Sequence, residues 1–477
     1  MECRYLVFLF LFSLIRYPVN AQANPSFQYV SRDSVVTFAS DRYEAHSFLR
    51  PLFMGTNYRQ EWRQPVTLPV FRLSETAYKI TDLGGGKQTK SLKLEDSAGK
   101  AWALRTIDKD VAGALPYWLK GSVARQLKQD QISSSMPYGS LVIGELARRA
   151  GITAAQPTIY FVASDTALGD YRDIFANTVC MLEERDPGFD STITTVEVLR
   201  QVQNDNRCLI DQKAWLKARL FDMLIADWDR HYDNWRWGSR DSAGFRYFEA
   251  IPRDRDWAFY FSNGIVPKLM RLTTERFLIN FSDKVKYVKS LNAKAHLLDA
   301  AFLNGLDAAD WLAVVGELQQ SLTDEAIETA VKKLPGPIYA LDGASFVQKL
   351  KSRRDGLQKP VLKYYRTLAK EVQVDGSSKA EIFSILPSTG GFLLQVFRRQ
   401  EENGQPEKIY ERRFLRSETY RVTLNGLGGD DSFVMDKDVQ SKIKLRVNGG
   451  TGKNTYNLQG QIRSAIHDDA GPMQSSK

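Results

Sequence analysis

Histidine and cysteine are scarce in this chain, four and three among 477 residues. No CxxC pair and no Cys/His array occurs, which excludes a thiolate–imidazole zinc centre as the organising chemistry. Cys3 lies at the extreme N-terminus, leaving Cys180 and Cys208. Two readings stand for them, a pair in an oxidising compartment or separate buried thiols. Runs of Lys/Arg interleaved with aromatics are missing too. The net charge is +9 and the pI about 9.2, but the cations are scattered. That permits an acidic partner and argues against nucleic acid. Long apolar runs are absent beyond residue 15. The one before it, "YLVFLFLFSLI", follows Arg4 and precedes small residues at Ala21 and Ala23. A charged start, a short apolar stretch and an A-x-A site are the parts of a secretory signal peptide, and the stretch is too short to span a bilayer well. Residues 1–23 therefore read as a cleaved leader. The expectation is an exported protein, in a periplasm, at a cell surface or secreted, with no membrane span after the leader.

What is present is a globular composition, 43% hydrophobic and 25% charged, long enough for more than one domain. Residues 24–75 read as a mixed lead-in that packs on the region after it. Residues 76–186 read as a small β-rich lobe. "DLGGGKQTK" opens a hairpin whose strands run through Ser91–Leu94 and Trp102–Ile107, "YGSLVIGELARRAGI" is a helix ending at Gly151, and "PTIYFVA" and "ANTVCMLEERD" are strands. Residues 187–371 read as helical, with Leu216, Leu220 and Leu224 on one stripe and helix starts at Asp307 and Thr323. Residues 372–462 are short strands between Gly/Asn/Asp turns, an all-β module, and 463–477 a polar tail. The predicted fold class is α+β, a two-lobed core with a C-terminal all-β domain.

Two fragments carry unusual charge among aromatics, "DWDRHYDNWRW" (227–237) and "PRDRDWAF" (252–259). In chain order, a glycine loop, a cation on a strand, an acid on a helix and these two acidic fragments are the parts that phosphoryl transfer needs. Gly84, Gly85 and Gly86 would bring backbone N–H groups to phosphates, with Lys87, Gln88 and Thr89 at the loop edge. Arg105 would hold phosphate and Glu145 orient it. Asp229 would orient the acceptor. Asn234 and Asp254 would supply hard oxygen ligands suited to Mg²⁺ or Mn²⁺. His231 reads as a residue that fixes its loop, and the tryptophans as packing.

On these residues the chain resembles the atypical protein-kinase-like fold shared by spore-coat CotH kinases, HipA-type kinases, secretory-pathway kinases and phosphatidylinositol kinases. It resembles in particular secreted proteins with a CotH-like core of the sort common in Bacteroidetes, over roughly residues 75–290. Asp229, His231 and Asn234 match the Asp-x-His element with an Asn five residues after the Asp, and Asp254 with Phe259 the metal-binding Asp and its aromatic. Asp256 matches the second Asp of the CotH version. By order along such a fold, Met181–Glu184 would be the nucleotide hinge, which makes Glu183 a cofactor contact. Arg105 departs from the usual Lys, and Lys109 is an alternative that reads as a loop end. The resemblance implies ATP or another nucleoside triphosphate, a divalent cation and an acceptor, protein or small molecule, that the motifs do not identify. Two alternatives accompany it: AMP transfer at the same metal site, and an inert kinase-like shell that binds a cell-envelope partner through the β-domain.

In that β-domain "NGLGGDDSF" (425–433) and "NGGTGKNTY" (448–456) resemble calcium-binding β-roll repeats. Two degenerate copies fall short of the roughly three needed to stack, so strand–turn–strand structure without calcium is the preferred reading.

Overall fold

The computed structural model describes residues 26–45, 48–85, 89–114, 123–399 and 405–468. The leader (1–23) and the last nine residues of the tail lie outside them. Architecture is α+β: a sheet-rich N-terminal region, a helical middle and C-terminal all-β sheets.

The N-terminal region is built on one sheet of eight strands: β1 (Gln28–Ser31), β2 (Ser34–Thr37), β3 (Val66–Phe71), β4 (Lys79–Gly84), β5 (Ser91–Glu95), β6 (Ala101–Thr106), β7 (Thr158–Val162) and β8 (Thr178–Glu184). Its spatial order is β1-β2-β3-β7-β8-β6-β5-β4. The lead-in segment thus contributes three strands to the sheet of the small lobe. Val35, Val66, Leu68 and Phe71 supply the buried face that holds it there. Cys180 and Cys208 are separate buried free thiols.

The helical middle is centred on the helix Gln212–Ile225, whose predicted stripe Leu216, Leu220 and Leu224 is fully buried. Asp307 caps its helix through a capping box, and Thr323 accepts the Ala326 N–H at 3.1 Å. A small sheet interrupts the helices: β9 (Ile193–Thr194), β10 (Cys208–Ile210), β11 (Trp235–Ser242) and β12 (Phe245–Pro252). β11 and β12 pair antiparallel from Trp235↔Pro252 to Ser242↔Phe245, turning at Ala243 and Gly244, both with positive φ. The two acidic fragments are therefore the two roots of one hairpin, brought side by side by its register.

The C-terminal domain has two sheets, one parallel and one mixed. One joins β13 (Glu371–Asp375), β17 (Arg421–Asn425), β19 (Gln440–Asn448) and β21 (Gln461–His467), all parallel. The other runs β16 (Glu407–Leu415), β15 (Gly391–Arg398), β14 (Glu381–Ser388), β18 (Ser432–Met435) and β20 (Thr455–Leu458), with β14, β18 and β20 parallel. The chain alternates between the sheets, coil upon coil, and β15–β16 is a hairpin inserted after the first coil. Phe383, Phe433 and Tyr456 stack down the interior with ring centroids 4.7 and 5.4 Å apart. The structure corrects the expectation of too few repeats to stack. A third turn, 375–383, aligns with the two glycine-rich ones although it keeps only Gly376 of their glycines. Asp375, Asn425 and Asn448 then form a side-chain ladder, at 2.5 and 2.6 Å.

The turns also engage their acids. Asp431 Oδ1 accepts the Glu381 N–H at 2.8 Å, and Asn454 Oδ1 accepts the Asp431 N–H at 3.1 Å. Glu381 accepts Ser377 N–H at 3.0 Å and the Asn206 amide at 2.7 Å. Glu381 and one oxygen of Asp431 thus bind backbone and neighbouring side chains, while Asp431 Oδ2 is buried without a partner among the described residues.

Candidate active site

A cleft lies between the small lobe and the root of the β11–β12 hairpin. Its apolar part is formed by Ile143, Ala147, Ala154, Pro157 and Met181. Gly144 lets the helix Gly139–Arg149 lie against Pro157, since a Cβ there would sit 2.7 Å from the proline ring. Its polar end is formed by Glu183, Asp254 and Asp256, and it continues past Thr89, Arg105 and Lys109. An apolar slot that opens onto a charged end suits a ligand with a flat apolar ring and a charged tail.

Arg105 reaches the cleft because β6 pairs with both β5 and β8, opposite Ser91 and Met181. Its Nε lies 2.9 Å from Glu183 and its Nη1 donates a short hydrogen bond to Asp254. Burial disfavours the Arg105 charge, yet Glu183 and Asp254 outweigh it and raise its pKa. Glu183 is itself pushed up by burial, against the pull of Arg105. Lys109, just past β6, donates to Asp256 at 2.6 Å and is nearly buried. Asp254 has φ +50°, a left-handed conformation that Asp tolerates better than most residues other than Gly and Asn, and remains 41% exposed. Burial alone would raise its pKa, but Arg105, Arg253 and Lys109 together hold it below the ordinary carboxylate range.

The first acidic fragment is locked to the second through the backbone. Arg253 N–H donates to the Asn234 carbonyl at 2.9 Å, and Arg230 bonds the carbonyls of Arg253 and Asn234 at 2.6 and 3.0 Å. The Asn234 amide donates a short bond to the Asp229 carbonyl. Beneath lies a buried charge network. Asp222 takes Arg219 at 2.7 Å, Arg230 at 3.2 Å and Arg255 at 2.9 Å, and Arg219 continues to Asp299 at 2.9 Å. Asp227 is pushed up to about 7 by burial, helped by Asp222 and Asp229 and opposed by Arg230.

Asp229 points to a residue that no sequence pattern marks. Its carboxylate takes the Lys294 ammonium at 2.5 Å, and that ammonium sits 4.7 and 4.5 Å from the ring centres of Trp228 and Phe277. His231 Nδ1 accepts the Asp233 N–H at 3.3 Å, a loop-fixing role.

Among the sequence-predicted residues, Arg105, Glu183, Asp254, Asp256 and Thr89 share the cleft. Asp229 and Asn234 stand at the adjoining root. Glu145 does not meet Arg105. Its carboxylate is taken by Arg148 at 2.6 Å and Arg149 at 2.7 Å, which hold it down at about 2. The acid beside Arg105 is Glu183. Gly84 ends β4, and Gly85 has φ +119° where a Cβ would collide with the Thr89 carbonyl. Gly86, Lys87 and Gln88 lie outside the described residues.

Among the described residues no three acids, histidines or cysteines cluster as a ready metal cage. The candidate ligands are two aspartates, whose positions converge on one cleft, and the Asn234 amide. Such a partial set fits magnesium, which keeps waters and takes the rest of its ligands from phosphates.

No family model and no curated protein matches the chain. Solved structures that share a distant likeness with it include kinases and a HipA complex. The Helicobacter pylori proinflammatory kinase CtkA is 10% identical, over 62% of this chain and 98% of that one, with a TM-score of 0.35. HipA of Shewanella oneidensis, in its complex with HipB and operator DNA, is 12% identical over 62% and 73%, at 0.29. The Rio2 kinase–ADP/Mg²⁺–phosphoaspartate complex of Chaetomium thermophilum is 12% identical over 60% and 71%, at 0.23.

Proposed function

We propose that the chain is an exported kinase-like phosphotransferase that binds a nucleoside triphosphate, ATP first, with Mg²⁺ or Mn²⁺ in this cleft. The observation that carries the reading is the paired set Arg105–Asp254 and Lys109–Asp256, two cations against two acids at the charged end of an apolar slot. The apolar wall suits a base. Arg105 and Lys109 are the cations that triphosphate oxygens would draw off. Asp254 and Asp256, released from them, would hold the metal with Asn234. Bound there, the cation would neutralise charge on the phosphates. Asp229 orients the acceptor hydroxyl, and Lys294 beside it adds a positive charge at the acceptor end. The leader-like residues 1–23 support export, and the motifs leave the acceptor open.

Asp254→Ala tests the reading. The wild-type chain is expected to gain thermal stability with ATP and Mg²⁺ together, by about 2.7 kcal/mol at a hundredfold excess over Kd. The variant should keep its fold and lose that gain. An undiminished magnesium-dependent gain in Asp254→Ala would remove the assignment. No gain in the wild type at millimolar nucleotide would favour an inert shell acting through the β-domain. Following α- against γ-labelled phosphate separates AMP transfer from phosphoryl transfer.

A further inference from the structure

The outer face of the parallel sheet β13-β17-β19-β21 carries a column of cations unrelated to the cleft. Inward positions such as Val422, Leu424, Ile443, Leu445 and Val447 form the domain core. Outward, Arg421 pairs in register with Lys444, and Arg463 opposes the bulge that contains Lys442 and Lys444. Arg446 lies one step along, next to Thr423. Arg421 contacts Glu371 at 3.3 Å, at the edge of the column. Among the described residues no acid pairs with Lys444, Arg446 or Arg463. Two of these cations meet one aromatic ring. Tyr420 is 38% exposed, Lys444 stands 4.4 Å and Arg421 5.7 Å from its ring centre, and Lys444 donates to its hydroxyl. The hydrogen bond from Lys444, with Arg421 and Arg463 nearby, holds the phenol below its ordinary range.

Parallel strands stand about 4.8 Å apart, so the column offers a cation on three successive rungs, β17, β19 and β21, with Glu371 on the fourth at the β13 edge. Like charges that close cost stability without a partner, and a linear polyanion laid across the strands removes that cost. Beside the column, Thr423 adds a neutral hydrogen-bonding group, and one step further along lies the ladder Asp375–Asn425–Asn448, whose amides are already engaged with one another and with the Asp375 carboxylate. Within these four strands and the residues directly flanking them, Tyr420 is the only large exposed hydrophobic side chain, so the face lacks the apolar groups that would enter a bilayer. A single aromatic also falls short of the successive stacking platforms that single-stranded nucleic acid uses.

We propose that this face binds an acidic polysaccharide, its carboxylates on Arg421, Lys444 and Arg463, a hydroxyl on Thr423 and a sugar face against Tyr420. The inference is independent of the cleft chemistry, so each can fail without the other. The test measures binding of the full chain to polygalacturonate, phosphatidylglycerol vesicles and single-stranded DNA across a salt series. Polygalacturonate should bind and weaken with salt. The triple variant R421A/K444A/R463A should bind it about tenfold less, the worth of roughly 1.4 kcal/mol. A control triple, K332A/K333A/K363A, removes equal charge from the helical region and should leave binding unchanged. Unchanged thermal stability of both variants, and an unchanged response to ATP with Mg²⁺, confines the loss to the face. Equal losses in the two triples, no polygalacturonate binding, or tighter column-dependent binding to vesicles or DNA would each overturn the proposal.

Discussion

In the cleft, Asp254 and Asp256 face the side chains of Arg105 and Lys109. In the β-domain turns, Glu381 and Asp431 face backbone N–H groups of their own and neighbouring rungs. Both arrangements satisfy acids, but they differ in what can replace the partner. A side-chain cation can swing away when a better anion arrives, and the acids of these pairs, Asp254 41% and Asp256 30% exposed, are open to solvent. A backbone amide is fixed by the fold, so the acid it holds belongs to the scaffold. The cleft is thus suited to exchange, the turn column to architecture, and a third group of acids, around Asp222, sits between them: paired to cations yet sealed from water.

The largest effect should come from that sealed group. Asp222→Ala leaves Arg219, Arg230 and Arg255 without their shared buried partner, and a cost of about 3–5 kcal/mol in chemical denaturation is expected. A small loss would mean that the network is as exchangeable as the cleft. Next comes Asp431, with Oδ2 buried and unpaired and its carboxyl pushed up to about 8, mainly by burial. The folded state keeps a proton that the unfolded chain sheds near the ordinary carboxylate range. Stability should therefore fall as pH rises from about 4 to about 8. Asp431→Asn copies the Asn454 of the next turn. It is expected to add about 1–3 kcal/mol at pH 8 and to flatten that slope in urea midpoints against pH. A slope unchanged in the variant would place the proton elsewhere. The smallest effect belongs to Glu145→Gln. Its arginine partners are solvent-facing, so a loss under about 1 kcal/mol is expected, with the gain from ATP and Mg²⁺ unaltered. Loss of that gain would show a coupling to Arg105 that the ion pairs do not display.

The sequence is most legible where the signal is local. The Leu216–Leu220–Leu224 stripe, the Asp307 and Thr323 caps and the alternating β-domain strands all follow from spacing within one element. The hairpin between the acidic fragments disappears into a helical reading. Arg236, Arg240 and Asp241 mask the Trp235/Trp237 alternation there, although Gly244 marks the turn. Three stacked turns are unreadable as three, because 375–383 shares length and register with the others and almost none of their glycines. At the site, the acids of the two fragments are visible as clusters. Their partners are not. Order along the chain draws Glu145 to Arg105, but Arg148 and Arg149, three and four residues on, claim it first on the same helix face. Glu183 replaces it because strand pairing sets it diagonally beside Arg105. Lys294 lies 65 residues from Asp229, and only the packing of Trp228 and Phe277 brings it there.

The β11–β12 hairpin has a practical side. Everything that aligns the two acidic fragments happens at its root, between Trp235 and Pro252, while its tip at Ser239–Gly244 projects into solvent. A fluorophore or affinity tag spliced at Ala243–Gly244 would ride at the end of a hairpin that is braced by β9 and β10 in one four-stranded sheet beside the cleft. Such a graft would report on ligand entry by distance to the small lobe while every side chain of the site stays in place.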